Sequence, residues 1–212
     1  MIFAAMKLAL SNINAIVFDI GGVLLNIDES KTIIALQGFR YSSSGIRIED
    51  IKQYPVFTKF EKGLMDEEQF RSELRSLLQL NVSNADFDKA WLATLGDFPD
   101  ERIQMLRRLK RKFRLFLLSN TNKIHLAYFL NYLDDRYGKN IMDALFEKCY
   151  YSCRLGMRKP DKEIFRYVMK DAGLSPDHTL FIDDSLSNVK GAEEEGWQTY
   201  HLRAGKEVCD LF

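Results

Sequence analysis

Cysteine is scarce in this chain: three residues, at 149, 153 and 209, among 212. That number cannot build a disulfide framework for a chain of this length, and Cys149 and Cys153 lack a second ligand pair with which to hold a metal. They are expected as buried thiols, small hydrophobes in a reduced, cytoplasmic protein. Net charge is missing as well, since 30 Lys and Arg cancel 30 Asp and Glu. No global field therefore draws the chain to nucleic acid or to an anionic membrane. Its one dense basic run, Arg107-Arg108-Leu109-Lys110-Arg111-Lys112, closes a helical pattern, where cations meet the negative end of a helix dipole.

Long hydrophobic runs are absent too, and none approaches the roughly 20 residues that span a bilayer. The opening MIFAAMKLAL is apolar but has no basic leading segment, and a core strand is expected almost at once. It is not read as a signal peptide, and Met1 and Met6 both stand as possible starts. The three histidines, 125, 178 and 201, are isolated and fit no metal or nucleophile pattern. His125 is expected on a helix, at its surface or packed.

What the chain does have is a succession of short apolar runs with helical patterns between them. Ala15-Ile16-Val17-Phe18 ends at Asp19, Leu115-Phe116-Leu117-Leu118 at Ser119-Asn120, and Thr179-Leu180-Phe181-Ile182 at Asp183-Asp184. A fourth run is expected from Trp197 to Leu202. Near-continuous apolar runs suit strands buried on both faces, so the fold class is α/β with a parallel sheet under helices. Pro160 is expected in the first turn of a helix striped by Ile164, Phe165, Val168, Met169 and Ala172, and a further helix is expected from about 100 to 113. Residues 30 to 98 carry no strong strand signal. There, Asp66 with Gln69 reads as a capping pair and Ser83 as a second N-cap. The repeats Phe70, Leu74, Leu77, Leu78 and Phe87, Ala90, Trp91, Leu95 predict helices inserted into the α/β core.

In an open parallel sheet, ligands bind beyond the carboxyl ends of the strands. Asp19, Ser119-Asn120 and Asp183-Asp184 all fall there. Any one of these could merely cap a helix. Adjacent acids at 183 and 184 repel each other unless a cation or strong donors lie close. Together with Asp19 they make an oxygen-rich set suited to Mg²⁺.

Val17-Phe18-Asp19-Ile20-Gly21-Gly22-Val23-Leu24 resembles the first motif of the haloacid dehalogenase superfamily. Leu118-Ser119-Asn120 resembles its second motif and Gly156-Met157-Arg158-Lys159-Pro160 its third. Phe181-Ile182-Asp183-Asp184-Ser185, continued by Asn188 and Gly191-Ala192, resembles its fourth. The order is right, and the helical stretch sits where subfamily-I members carry a cap. Within it the chain most resembles the branch of bacterial sugar-phosphate phosphatases typified by α-D-glucose-1-phosphate phosphatase.

The resemblance implies a Rossmann-like core over residues 1–28 and 99–212 with a helical cap at 29–98. It implies Mg²⁺, a small phosphorylated substrate, and a monomer that needs neither nucleic acid nor membrane. Asp19 would be the nucleophile forming an aspartyl-phosphate, and Lys159 the cation that keeps it ionised. Ser119 and the Asn120 N–H would hold phosphoryl oxygens. Asp19, Asp184 and the Gly21 carbonyl would bind the metal, while Asp183 and Asn188 would support the loop, or simply form a capping network.

One departure stands out. Many phosphatases of this superfamily place an acid two residues after the nucleophile, where this chain has Gly21, so a proton-transfer contribution of about 10²–10⁴ is absent. The implied leaving group is a weaker base than a simple alkoxide, such as an anomeric sugar oxygen. Two rivals remain: a dehalogenase whose aspartate attacks carbon, against which the paired acids count, and a phosphate-ester binding protein without catalysis.

Overall fold

The computed structural model describes residues 10–42 and 47–212, so the apolar start and the choice between Met1 and Met6 lie outside the described residues. Strands β1 (Ala15–Phe18), β2 (Arg114–Ser119), β3 (Lys148–Tyr151), β4 (Thr179–Asp183) and β5 (Gln198–His201) form one sheet. All pairings are parallel, in the order β3-β2-β1-β4-β5. Chain order runs outward from β1 to one edge and then restarts on its other side, which makes the carboxyl end of β1 a topological switch point.

Alternate residues of β1 serve opposite layers. Ile16 and Phe18 join a core with Leu115, Leu117, Leu180 and Ile182, while Ala15 and Val17 join another with Phe116, Leu118, Phe165 and Phe181. Burial of each such Val, Ile or Phe contributes about 1.5–3 kcal/mol, which is why these runs hold the centre of the sheet. The strand Lys148–Tyr151 was not foreseen. It is short, begins on an exposed lysine and occupies an edge, so it carries no apolar run. Cys149 on that edge and Cys209 are half-buried rather than buried, Cys153 is buried, and all three thiols are free.

Between β1 and β2 come α1 (Glu29–Gln37), α2 (Pro55–Glu61), α3 (Glu67–Leu78) and α4 (Asn84–Leu92), with a 3₁₀ turn at Ile48–Gln53. Asp66 and Gln69 close the anticipated capping box on α3, and Ser83 accepts from the Asp86 N–H at the head of α4. These helices gather their own apolar cluster, in which Phe60 and Phe70 stack with ring centroids 3.9 Å apart.

The remaining helices are α5 (Asp100–Leu109), α6 (Lys123–Tyr137), α7 (Ile141–Leu145), α8 (Ser152–Leu155), α9 (Lys162–Asp171) and α10 (Leu186–Glu193). Helix α9 starts at Lys162 with Asp161 at its N-cap, so Pro160 precedes the helix instead of opening it. Its buried stripe is Ile164, Phe165 and Val168, as the periodicity required. Among the described residues no helix is long and apolar enough to cross a membrane.

Candidate active site

The register of the sheet brings the polar strand ends together. Phe18 lies level with Leu117 on β2 and Ile182 on β4, so Asp19 emerges beside Leu118 and Asp183, and its N–H donates to the Ile182 carbonyl at 2.9 Å. Lys159 enters from the turn after α8. Its Nζ donates to Asp19 Oδ1 at 2.8 Å, to Asp183 Oδ2 at 2.6 Å and to the Leu118 carbonyl at 2.8 Å. An ammonium has three donors, and here all are used. Burial works against the charge on Lys159, yet Asp183 and Asp19 together raise its pKa above the ordinary lysine value.

Asp19 is in the opposite position. Burial, then the neighbouring charges of Asp183 and Asp184, push its carboxyl up to about 7 against the pull of Lys159. Burial and Asp183 raise Asp184 as well. Oxygens of these three acids lie within 4.8 Å of one another. One lysine does not neutralise three carboxylates, so the donor set has the surplus negative charge that a hard divalent cation relieves. Gly22 adds a steric condition. It has φ +71°, and a Cβ there would collide with the Asp184 carboxylate.

The two fourth-motif acids are not equivalent. Asp183 is fully buried and committed to protein partners: besides Lys159, the Ser185 N–H donates to it at 2.8 Å and Asn188 Nδ2 at 3.0 and 3.1 Å. Asp184 stands open toward the cleft, and its carbonyl lies 3.0 Å from His201 Nε2.

The loop after β2 is held from both sides. The Thr121 N–H donates to Ser152 Oγ at 2.9 Å, and Ser152 Oγ donates to the Thr121 carbonyl at 3.0 Å. Asn120 Nδ2 donates to the Lys159 carbonyl at 2.8 Å and its Oδ1 accepts from the Lys159 N–H at 2.9 Å. The Asn120 side chain thus locks the second motif to the third, a role its sequence position did not suggest. Ser119 is buried at the end of β2 beside this loop.

Asp19, Ser119, Asn120, Lys159 and Asp184 border a cavity of about 410 Å³ whose wall also includes Gly21, Glu61, Trp91, His125 and Arg158. His125 is packed, not exposed: its Nε2 donates to the Trp91 carbonyl at 3.0 Å and its ring stacks on Trp91 with centroids 5.4 Å apart. Burial lowers its pKa to about 4. Glu61 and Arg158, whose charged atoms approach to 3.0 Å, were not anticipated. In the sequence Glu61 stands between Phe60 and Lys62, and Arg158 one residue before the motif lysine, and neither setting marks the pair.

A family profile for haloacid dehalogenase-like hydrolases matches residues 13–196. The chain is 30% identical over 195 residues to D-ribitol-5-phosphate phosphatase of Bacteroides thetaiotaomicron, covering 92% of this chain and 94% of that one. It is 27% identical over 199 residues to a sesquiterpene phosphatase of Aspergillus oryzae, covering 92% of each. Among solved structures, a HAD-family enzyme of Bacteroides thetaiotaomicron in complex with magnesium and inorganic phosphate superposes with a TM-score of 0.85 at 36% identity. The match covers 94% of this chain and 99% of that one.

Proposed function

The chain belongs to the haloacid dehalogenase-like hydrolase family, and from that premise we propose how its side chains divide the work of cleaving a phosphomonoester. It is a phosphoric monoester hydrolase, and its cofactor is Mg²⁺. We take Asp19 as the nucleophile. Its carboxylate attacks phosphorus, the bond from phosphorus to the leaving oxygen breaks, and an aspartyl-phosphate forms. Water then attacks that phosphorus, releasing inorganic phosphate and restoring Asp19.

Two anions must approach each other in the first step. Asp19, Asp184 and the Gly21 carbonyl would hold Mg²⁺, which supplies charge neutralisation at the phosphoryl oxygens. Lys159 keeps Asp19 ionised and oriented through the 2.8 Å contact. Ser119 and the Asn120 N–H receive the phosphoryl oxygens as their charge grows. Asp183, held by Asn188 and the Ser185 N–H, fixes the Lys159 ammonium. Residues 29–98 act as the cap over this site, and the free thiols fit a reducing, cytoplasmic setting.

The observation that carries this reading is the convergence of Asp19, Asp183, Asp184 and Lys159 at the switch point, with Asp19, Asp184 and Lys159 on the wall of one cavity and Asp183 buried behind them. A phosphate-binding protein would need the anion site but no nucleophile. Steady-state hydrolysis of p-nitrophenyl phosphate, with and without Mg²⁺, by wild type and Asp19→Asn separates the two. Mg²⁺-dependent turnover that disappears in the variant is expected. Turnover surviving in Asp19→Asn would refute the assignment.

A further inference from the structure

Asp19 is only 8% exposed, and residues of α1, α2 and α4 share the wall of the cavity it borders. Entry of a phosphomonoester and exit of phosphate therefore call for the inserted helices to part from the core. The two edges at which they meet it differ in chemistry.

One edge is apolar and continuous with the linkers. Ile124, at the head of α6, lies in the apolar cluster of the inserted helices, and the next residue, His125, stacks on Trp91 of α4. The Thr32 hydroxyl donates to the Trp91 carbonyl and accepts from the Thr94 N–H, each at 3.1 Å, which ties this contact to the returning linker. There Asn26 Nδ2 donates to Asp97 Oδ1 at 2.9 Å. Parting this edge would expose Ile124 and Trp91 to water.

The other edge is ionic. The end of α2 meets the turn between α8 and α9 through two pairs of reciprocal sign, Glu61 with Arg158 at 3.0 Å and Lys62 with Asp161 at 2.8 Å. Beside them Gly63, at φ +66°, comes so near α8 that a Cβ would collide with the Cys153 carbonyl. Parting here returns four charges to water, and pairs as exposed as Lys62 and Asp161, at 25% and 50%, hold weakly. The closed contact is also imperfect: Glu61 Oε2 and Arg158 Nε are buried with no hydrogen-bond partner. Opening would hydrate both. Reciprocal charges re-form in one register only, which suits a movement repeated at every turnover.

We propose that the inserted helices open at the α2 edge, where the Glu61–Arg158 and Lys62–Asp161 pairs break to admit substrate and re-form over it. The α4–α6 edge and the linkers are the hinge. This opening edge rests on the phosphatase reading above and adds to it the side from which the site is reached. Arg158 and Asp161 stand one residue before and two after Lys159, so the closing edge seats on the turn that carries the ammonium to Asp19.

The test fastens each edge in turn. In a background whose three native cysteines are replaced by alanine, Lys62→Cys with Asp161→Cys, or Asn26→Cys with Asp97→Cys, is bridged by a short bifunctional methanethiosulfonate. Hydrolysis of p-nitrophenyl phosphate with Mg²⁺ is measured bridged, after reduction, and with the same thiols capped singly by methyl methanethiosulfonate. Bridging positions 62 and 161 should lower kcat/KM about 100-fold, with recovery on reduction and little loss on single capping, because a fastened lid cannot exchange substrate for product. Bridging positions 26 and 97 should lower it less than about threefold, since a hinge keeps its ends together as it turns. Full turnover with 62 and 161 bridged overturns the proposal. So does an equal loss from both bridges, or a loss that single capping reproduces. Asp19→Asn judges the chemistry separately: turnover surviving it removes the nucleophile, while the contrast between the two bridges still reads the opening edge.

Discussion

Lys159 Nζ and Asp183 Oδ2 stand 2.6 Å apart with neither side chain reaching solvent. The same ammonium also serves Asp19, so one buried cation restrains two buried carboxylates. Removing the cation strands both. Lys159→Met should lower unfolding free energy by about 3–5 kcal/mol, the range for breaking a buried pair, and abolish activity. Urea denaturation with Mg²⁺ chelated reads the first effect. A loss below about 1 kcal/mol would show that the acids are relieved elsewhere.

Gly22 leaves its Cβ space to the Asp184 carboxylate. Gly22→Ala must displace that acid and strain a backbone at φ +71°. The Mg²⁺ concentration for half-maximal activity should rise about 10–100-fold, as when the orientation of a metal ligand is disturbed. An unchanged Mg²⁺ requirement would remove Asp184 from the metal site.

Gly21 has room that Gly22 lacks: a Cβ there would meet only Ile27 side-chain carbons, at 3.4 and 3.7 Å. Gly21→Asp should therefore fold and restore a proton donor beside the leaving oxygen. Turnover of alkyl phosphates should rise tenfold or more, part of the roughly 10²–10⁴ such transfer supplies, with little gain on p-nitrophenyl phosphate. Equal change on both substrates would argue against a missing acid. Wild type should also favour anomeric over primary alkyl phosphates bearing the same hydroxyls.

His125 ties acid sensitivity to the junction of α4 and α6. Burial holds its pKa near 4 against an ordinary 6.5. Below pH 6.5 the unfolded chain takes up a proton that the native imidazole refuses until about pH 4, so stability present above 6.5 is lost as pH falls between those values. Unfolding free energies of wild type and His125→Gln, compared at pH 7 and pH 4.5, should draw closer at the lower pH. A constant difference would mean that His125 does not titrate with folding.

Much of this was legible in the residues because the central strands are buried on both faces, and burial of that kind leaves runs such as Ala15–Phe18 and Thr179–Ile182. The edge strand from Lys148 begins on an exposed residue and buries only Tyr150 and Tyr151, one in each core, so its composition shows no apolar run. Asp19, Asp183 and Asp184 at the strand ends, and Lys159 in the turn after α8, could be named because each follows an apolar run or lies in a motif. The Asn120 clasp on the Lys159 backbone, the His201 contact with Asp184 and the Glu61–Arg158 pair could not. They join segments distant in sequence, and nothing in the spacing of either partner announces the other.

The chain leaves the sheet for its helical insertion and returns at almost the same point. The Asn26 N–H donates to the Asp97 carbonyl at 2.9 Å, the Asp28 N–H to the Thr94 carbonyl at 2.8 Å, and the Gly96 N–H to the Asn26 carbonyl at 2.8 Å. This small clasp makes the sheet indifferent to what it encloses, because closure entropy grows only with the logarithm of loop length, about 0.6 kcal/mol per doubling. A lineage can therefore lengthen, trim or exchange the enclosed helices while the polar strand ends keep their register. In that sense the clasp is a seam along which new specificities can be tailored onto an unaltered chemistry.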